Sequence, residues 1–468
     1  MKKLLSRMDL SYLYAFLGEA TLALTLLFYI LLARELGPEQ YETFASAAAL
    51  GGILSLLISL GFPELLNREV ALNREKGTKS TIPFLSVEAV GAVFTLILLF
   101  PITQWLQVGR EELIIFYLAI LAEISRSFVL TLRGLLKGMS HFRAEMIVVT
   151  IERFSVVACS LVALFLTQNL FWVILTFALV RIVHLLGVFR YLTGRYNLWS
   201  PLSISGGFSA FKMAFPLALS GVLWMVFYQA DILMLKGIAP SGEAGFYSAS
   251  YRMMEIFNAL PRVIFYVSFT RFSQSFAAHR DQMCRQVHKT TALLTIGVLP
   301  IVFLAGIFQS LLVEIIYGEA FAPSVQSLSI LLPSIAAMIF GELSRYMIIA
   351  MGKEKVLPPL LSAAVIFNII VNLVLIPAMG ASGAAVATLV SELLLTLVCL
   401  QVLAWFGYKR IAWTVTIITA LGLFVTALPS LMLTQYSSGL VWVLGLAGVV
   451  AIAILLQPQY FLKPTVRQ

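Results

Sequence analysis

The feature that most constrains this chain is the recurrence of long apolar runs. Crossing ~30 Å of hydrocarbon takes ~20 predominantly apolar residues as a helix. A backbone in lipid must satisfy its own hydrogen bonds, so runs of this kind can hardly be anything else. Fourteen runs qualify, with approximate cores at 11–33, 41–62, 81–101, 112–132, 144–166, 170–192, 213–236, 246–270, 288–309, 324–351, 357–377, 381–405, 411–432 and 439–457. Of the 468 residues 60% are hydrophobic and 12% charged, against ~45–50% and ~25% in soluble domains. So little charge cannot cover a soluble surface. A cytosolic enzyme, a disordered chain and a secreted disulfide scaffold are excluded. Cys159 and Cys399 fall in apolar runs and Cys284 in a basic loop, so no disulfide framework is expected. The first run is too long for a signal-peptide core and no A-x-A site follows it, so it is expected to be retained.

Lys and Arg set the orientation, because positive loops stay cytoplasmic. With the N-terminus inside, the inner segments hold 23 of them and the outer loops only Arg34, Arg110 and Lys236. That asymmetry predicts cytoplasmic termini. It also accounts for a net charge of +9 without any nucleic-acid partner, and it favours anionic headgroups at the inner face.

The longest polar, Gly/Ser-rich stretch between runs is 193–210, which reads as a linker. A shift of 202 residues places Arg34 on Lys236, Pro38 on Pro240, Phe44 on Phe246, Ser46 on Ser248 and Ala47 on Ala249. Span 4 carries Glu-Ile-Ser-Arg at 123–126 and span 10 carries Glu-Leu-Ser-Arg at 342–345. These matches predict parallel repeats of the kind found in transporters. The expected architecture is an all-α polytopic membrane protein: an N-terminal lobe over 1–196 with spans 1–6, a linker and C-terminal lobe over 197–408 with spans 7–12, and spans 13–14 with a short tail over 409–468.

Fourteen ionisable residues fall inside the proposed spans: Glu19, Glu88, Glu123, Glu152, Asp231, Glu255, Glu342, Glu392, Arg126, Arg153, Arg181, Arg252, Arg262 and Arg345. At ~2.5–3.5 kcal/mol each near the bilayer centre, exposing all of them to lipid would cost at most on the order of 40 kcal/mol. They must face one another or a watered cavity. Helical spacing groups Glu123, Arg126, Leu130, Arg133 and Lys137 on one face of span 4. It likewise groups Arg181, His184, Val188, Tyr191 and Arg195 on span 6, and Arg252, Glu255, Ala259, Arg262 and Tyr266 on span 8. One reading is a cationic, water-filled path for an anionic headgroup, with Arg126, Arg345, Arg181, Arg262, Arg252 and Arg133 as candidate ligands, since a guanidinium fork binds two phosphate oxygens at once. The other is mutual neutralisation by the i,i+3 pairs Glu123–Arg126, Arg252–Glu255 and Glu342–Arg345, with Glu88 and Glu152 held in helix packing. Glu19 has no basic residue near it on its span, which marks it as a proton or cation site, with Asp231 as a second. Asn258, Asn368 and Asn372 fit either sugar contacts or interhelical hydrogen bonds.

No Walker A sequence, H-E-x-x-H, C-x-x-C or G-x-S-x-G is present, and the four histidines form no metal spacing. No interhelical loop is long enough to house an active site. No cofactor, no metal and no enzymatic activity are expected; a transporter is.

Three stretches resemble a known family. FPLALSGVLWMVFYQADILMLKGIAPSGEAGFYSASYRMMEIFNALPRVIFY, with Asp231 before an apolar run and G-x-Y-S-A-x-Y-R at Gly245 to Arg252, resembles the span 7–8 region of Wzx-type polysaccharide flippases. ARELGPEQYETFASAAALGGILSLLISLGFPELLNREVA and FNIIVNLVLIPAMGASGAAVATLVSELL look like the same family's spans 1–2 and 11–12. The resemblance implies two pseudo-symmetric six-helix bundles around a central cavity, as in the superfamily that also holds MATE multidrug exporters and lipid II flippases. It implies translocation of a polyprenyl-diphosphate-linked oligosaccharide across a bacterial cytoplasmic membrane by alternating access. H+ or Na+ would be the coupling ion and other polysaccharide-assembly membrane proteins the partners. The lipid II subgroup implies basic residues in span 1, where this chain has Glu19. The MATE subgroup implies acids in spans 1 and 7, which Glu19 and Asp231 partly match. Six intramembrane arginines argue against a cavity built for organic cations.

Overall fold

A computed structural model of the chain describes residues 22–198, 204–258 and 280–432, with scattered positions between 261 and 272 and between 444 and 456. Every regular element among the described residues is helical. Packing divides the chain into two compact units, Met1–Gly245 and Phe246–Gln468.

The first unit holds α1 (Leu22–Ser59), α2 (Phe62–Leu72), α3 (Arg74–Trp105), α4 (Arg110–Gly138), α5 (Phe142–Thr167), α6 (Leu170–Arg195) and α7 (Ile204–Ile238). α1 is two helices joined at Gly37, whose φ of 75° lies in the left-handed region that a side chain disfavours, followed by Pro38. α3 starts where the Asn73 side chain accepts the Lys76 amide at 3.0 Å. α4 starts with Glu112 reaching back to the Gly109 amide at 3.2 Å, and α6 with Asn169 accepting from the Phe171 amide at 2.9 Å. α4 is the hub: α1, α2, α3, α5 and α6 all pack on it. α7 packs on α1, α3 and α2.

α2 was not anticipated as a helix, because at 11 residues it is far shorter than a crossing. Its apolar residues recur at helical spacing: Phe62, Leu66 and Val70 are fully buried among Phe84, Leu132, Leu135, Leu136 and Leu192. The contact is backbone-close, since a Cβ on Gly134 would sit 2.3 Å from the Pro63 carbonyl oxygen. The expected linker over 193–210 is also shorter than its composition implied. α6 runs to Arg195 and α7 begins at Ile204, because extending a helix satisfies the backbone even through Gly and Ser.

The second unit takes in most of α8 (Glu243–Phe257), then α9 (Arg280–Ile307), α10 (Gln309–Tyr317), α11 (Ser324–Ala350), α12 (Leu357–Leu403) and α13 (Lys409–Met432). α11 is its core, packed by α12, α13 and α9. α12 bends at Gly380 (φ 54°) and a π-helical turn at Ala404–Tyr408 joins it to α13. Buried hydroxyls tie helices together: Tyr247 with Thr388 at 2.8 Å, Ser250 to the Ser324 carbonyl at 2.7 Å, and Thr396 to the Ala337 carbonyl at 2.8 Å.

Among the described residues nine helical segments are long and apolar enough to cross a membrane. Two are compound: Leu24–Leu72 contains the break at Gly37, and Glu354–Ser430 contains those at Gly380 and Gly407. The expected count of fourteen is not reached by these residues. Span 14 and Glu19 lie largely or wholly outside them. The outward faces carry what a lipid solvent accepts, with Phe94, Ile97, Val183, Leu186, Trp405 and Trp413 all exposed. The chain is a multi-pass membrane protein.

Candidate functional site

Two clusters of charged side chains stand out in the first unit. The first stands on α4. Glu123 Oε1 accepts from Arg181 Nη1 on α6 at 2.5 Å, and its Oε2 accepts from Arg126 Nη1 at 2.9 Å. The Arg181 guanidinium also lies over the Phe177 ring, 4.2 Å from its centroid, and that ring stacks on Phe28 of α1. Arg181 is 12% exposed and Arg126 41%. Buried Glu152 of α5 lies near enough for its charge to be felt at Arg126. His184, one turn beyond Arg181, buries Nε2 without a hydrogen-bond partner among the described residues.

Further along the same face, Leu130, Arg133 and Lys137 line an open cavity of about 430 Å³ with Leu56 and Ser59 of α1, Glu64 and Asn67 of α2 and Trp224 of α7. Within it Arg133 is committed: Nε and Nη2 both donate to Glu145 Oε1 on α5, at 2.9 and 2.5 Å. Lys137 is 3.8 Å from the same oxygen and half exposed. Of the stripe read from span 4, Leu130, Arg133 and Lys137 line this cavity, with Arg133 pinned and Lys137 open, while Glu123 and Arg126 stand outside its lining.

The second cluster was not anticipated. Lys236, near the end of α7, donates to Glu42 of α1 at 3.1 Å and to Glu112 of α4 at 3.0 Å. Glu42 also accepts the Gly242 and Ala244 amides, at 2.6 and 3.2 Å, and Thr43 donates its hydroxyl to Glu112. Glu42 is 3% exposed and Lys236 10%. The sequence offered Lys236 as an outer-loop cation. The signal that was there to use is the pair of acids at the starts of spans 2 and 4.

Elsewhere, Glu88 is fully buried with Oε1 accepting the Thr131 hydroxyl at 2.5 Å. Asp231 is buried in α7. In the second unit Arg252 Nη1 donates to Glu255 at 2.6 Å, with both side chains largely covered. Arg262 is exposed. Arg345 is buried in α11 and, with Glu392 of α12, lies close enough to Cys399 for its charge to reach that thiol. The i,i+3 spacing therefore translates into contact at Glu123–Arg126 and Arg252–Glu255. Outside the spans, His141 Nδ1 meets the Tyr196 hydroxyl at 2.6 Å, and burial pushes the Tyr196 phenol above its ordinary value. No group of three or more His, Cys, Asp or Glu with metal-site geometry occurs among the described residues.

An all-helical membrane fold of this kind is shared with solved transporters. A lipid II flippase, MurJ, in an inward closed conformation superposes with a TM-score of 0.70 at 13% identity, over 94% of this chain and 98% of that one. An inward-facing multidrug resistance MATE family transporter of the MOP superfamily gives 0.66 at 14% identity, over 84% and 94%. In sequence, the Shigella flexneri protein named "Putative O-antigen transporter" is 23% identical over 377 residues, covering 76% of this chain and 88% of that protein. Residues 13–276, more than half of the chain, match the polysaccharide biosynthesis protein family, and the protein belongs to that family.

Proposed function

We propose that this protein is a flippase: it moves polyprenyl-diphosphate-linked oligosaccharide units across the bacterial cytoplasmic membrane for assembly of O-antigen, capsule or exopolysaccharide. The observation that carries this reading is the α4–α6 cluster, where two guanidinium groups share one carboxylate. A cluster one of whose guanidinium groups is half open, and so able to take another partner, is suited to an anion. Arginine suits phosphate in particular, because its planar fork offers two parallel donors. Membership of the polysaccharide biosynthesis family and the likeness to an O-antigen transporter support the glycan part of the reading.

In this scheme Arg126 receives the diphosphate, with Arg181 beside it on Glu123. Lys137 and the stripe beyond Arg126, with Arg133, guide it in; within the second unit Arg252, Arg262 and Arg345 are the candidate diphosphate or glycan ligands. Two lobes alternate access, both termini are cytoplasmic, and a proton or sodium gradient acting at Glu19 or Asp231 drives the cycle. No chemical step on the substrate is required, so the protein is a carrier and not an enzyme. A site selecting organic cations would open an acid rather than a guanidinium, which disfavours the multidrug-exporter reading.

The test is deletion in the host followed by leaflet-resolved quantification of lipid-linked oligosaccharide. Accumulation at the inner leaflet, with loss of one surface glycan, is the expected result and identifies the substrate. An unchanged lipid-linked pool and intact surface glycans would overturn the reading.

A further inference from the structure

Glu123 divides its two oxygens between two arginines that are held very differently. Arg181 is clamped: its guanidinium sits 2.5 Å from Oε1 and 4.2 Å from the centre of the Phe177 ring, with little exposure. Arg126 is one turn along the same helix as Glu123, donates at 2.9 Å and keeps 41% of its side chain exposed. It can swing away from Glu123 by side-chain rotation alone, with no movement of α4. Glu123 itself has no room to retreat toward α1, because a Cβ on Gly51 would lie only 2.8 Å from its Cγ. Of the three groups, Arg126 is the one free to change partner.

We propose that Glu123 is a built-in surrogate for the substrate's phosphate. In the empty protein its carboxylate holds Arg126. An arriving diphosphate competes for that guanidinium and takes it, leaving Glu123 neutralised by Arg181. On release Glu123 recaptures Arg126 and thereby helps expel the phosphate. The inference rests on the reading of the substrate as a lipid diphosphate and assigns to one acid the task of keeping that substrate exchangeable. A carrier has to bind well enough to load and weakly enough to unload. Two arginines with no competing anion would satisfy the first condition and fail the second.

The experiment uses the full chain in nanodiscs with a sugar-free polyprenyl diphosphate as probe, measuring affinity beside cellular flipping. Glu123→Gln should bind the probe about five- to tenfold more tightly while flipping more slowly, a combination that mere loss of structure cannot produce. Glu123→Asp, which keeps the charge beside Arg181 but draws it back from Arg126, should shift affinity in the same direction by less. It decides the matter if the Gln variant does not fold. Arg126→Ala should weaken binding. If Arg126→Ala weakens binding but neither Glu123 variant tightens it, Glu123 is only a structural counter-ion and the proposal fails while the diphosphate reading stands. If Arg126→Ala leaves affinity unchanged, the diphosphate reading fails and the surrogate role with it.

Discussion

The two charged clusters of the first unit are opposites. In the α4–α6 cluster one carboxylate serves two guanidinium groups; in the α1–α4–α7 cluster one lysine serves two carboxylates. They also differ in how the surplus is handled. The extra negative charge around Lys236 is absorbed by donors from the fold itself: the Gly242 and Ala244 amides on Glu42 and the Thr43 hydroxyl on Glu112. The second arginine at Glu123 is balanced by a charge rather than by such donors, since Glu152 lies near enough to be felt at Arg126. Arg181 Nε has no hydrogen-bond partner among the described residues, and Arg126 remains half open. A self-satisfied cluster is a clasp; the half-open one is where the proposed function puts the substrate. Composition alone would have treated both as buried ion pairs.

The largest effect that would break this contrast is predicted for Lys236→Ala. Removing the shared cation leaves two carboxylates, one of them buried, facing each other with only neutral donors. Breaking such a pair from one side costs about 3–5 kcal/mol, which a thermal unfolding assay in detergent resolves readily. A stability close to wild type would mean that the amides and Thr43 already carry the clasp and that Lys236 is incidental. A smaller effect sharpens the comparison from the other side. Glu112→Gln removes the surplus acid while Glu42 keeps Lys236, so stability should stay within about 1 kcal/mol of wild type. A loss as large as that of Lys236→Ala would show that both carboxylates are needed, against the idea of surplus.

How much of this was readable in advance follows from sequence distance. Helix α4, its stripe and the Glu123–Arg126 contact were legible because they obey 3.6-residue spacing on one element. The partner that fixes the site, Arg181, was visible as an intramembrane charge, but its contact with Glu123 spans 58 residues and no local pattern encodes it. Glu145 was invisible as the partner of Arg133 for a similar reason, since the contact folds back across the α4–α5 turn. The fold failed to read out in two short places. α2 and α10 are helices too short to register as crossings, and they are seen only when helical spacing is tested below span length. The Gly/Ser-rich start of α7 shows the converse error, a composition typical of linkers overridden by the requirement to satisfy backbone groups.

The smallest stability effect is predicted at the residue with the largest functional one. Arg126 sits on the surface of its cluster, and its pair with Glu123 is an i,i+3 contact on a half-exposed side chain. Such pairs contribute about 0.3–0.5 kcal/mol, and Glu123 keeps Arg181 when Arg126 is removed. Arg126→Ala should therefore unfold within a degree or two of wild type, yet flip lipid-linked oligosaccharide at least tenfold more slowly at equal protein level. Stability and transport would separate at this position and move together at Lys236. If Arg126→Ala instead lost several kcal/mol, the α4–α6 cluster would be a second clasp. If it transported normally, the half-open guanidinium would have no substrate to receive, and the distinction between the two clusters would reduce to how exposed their cations are.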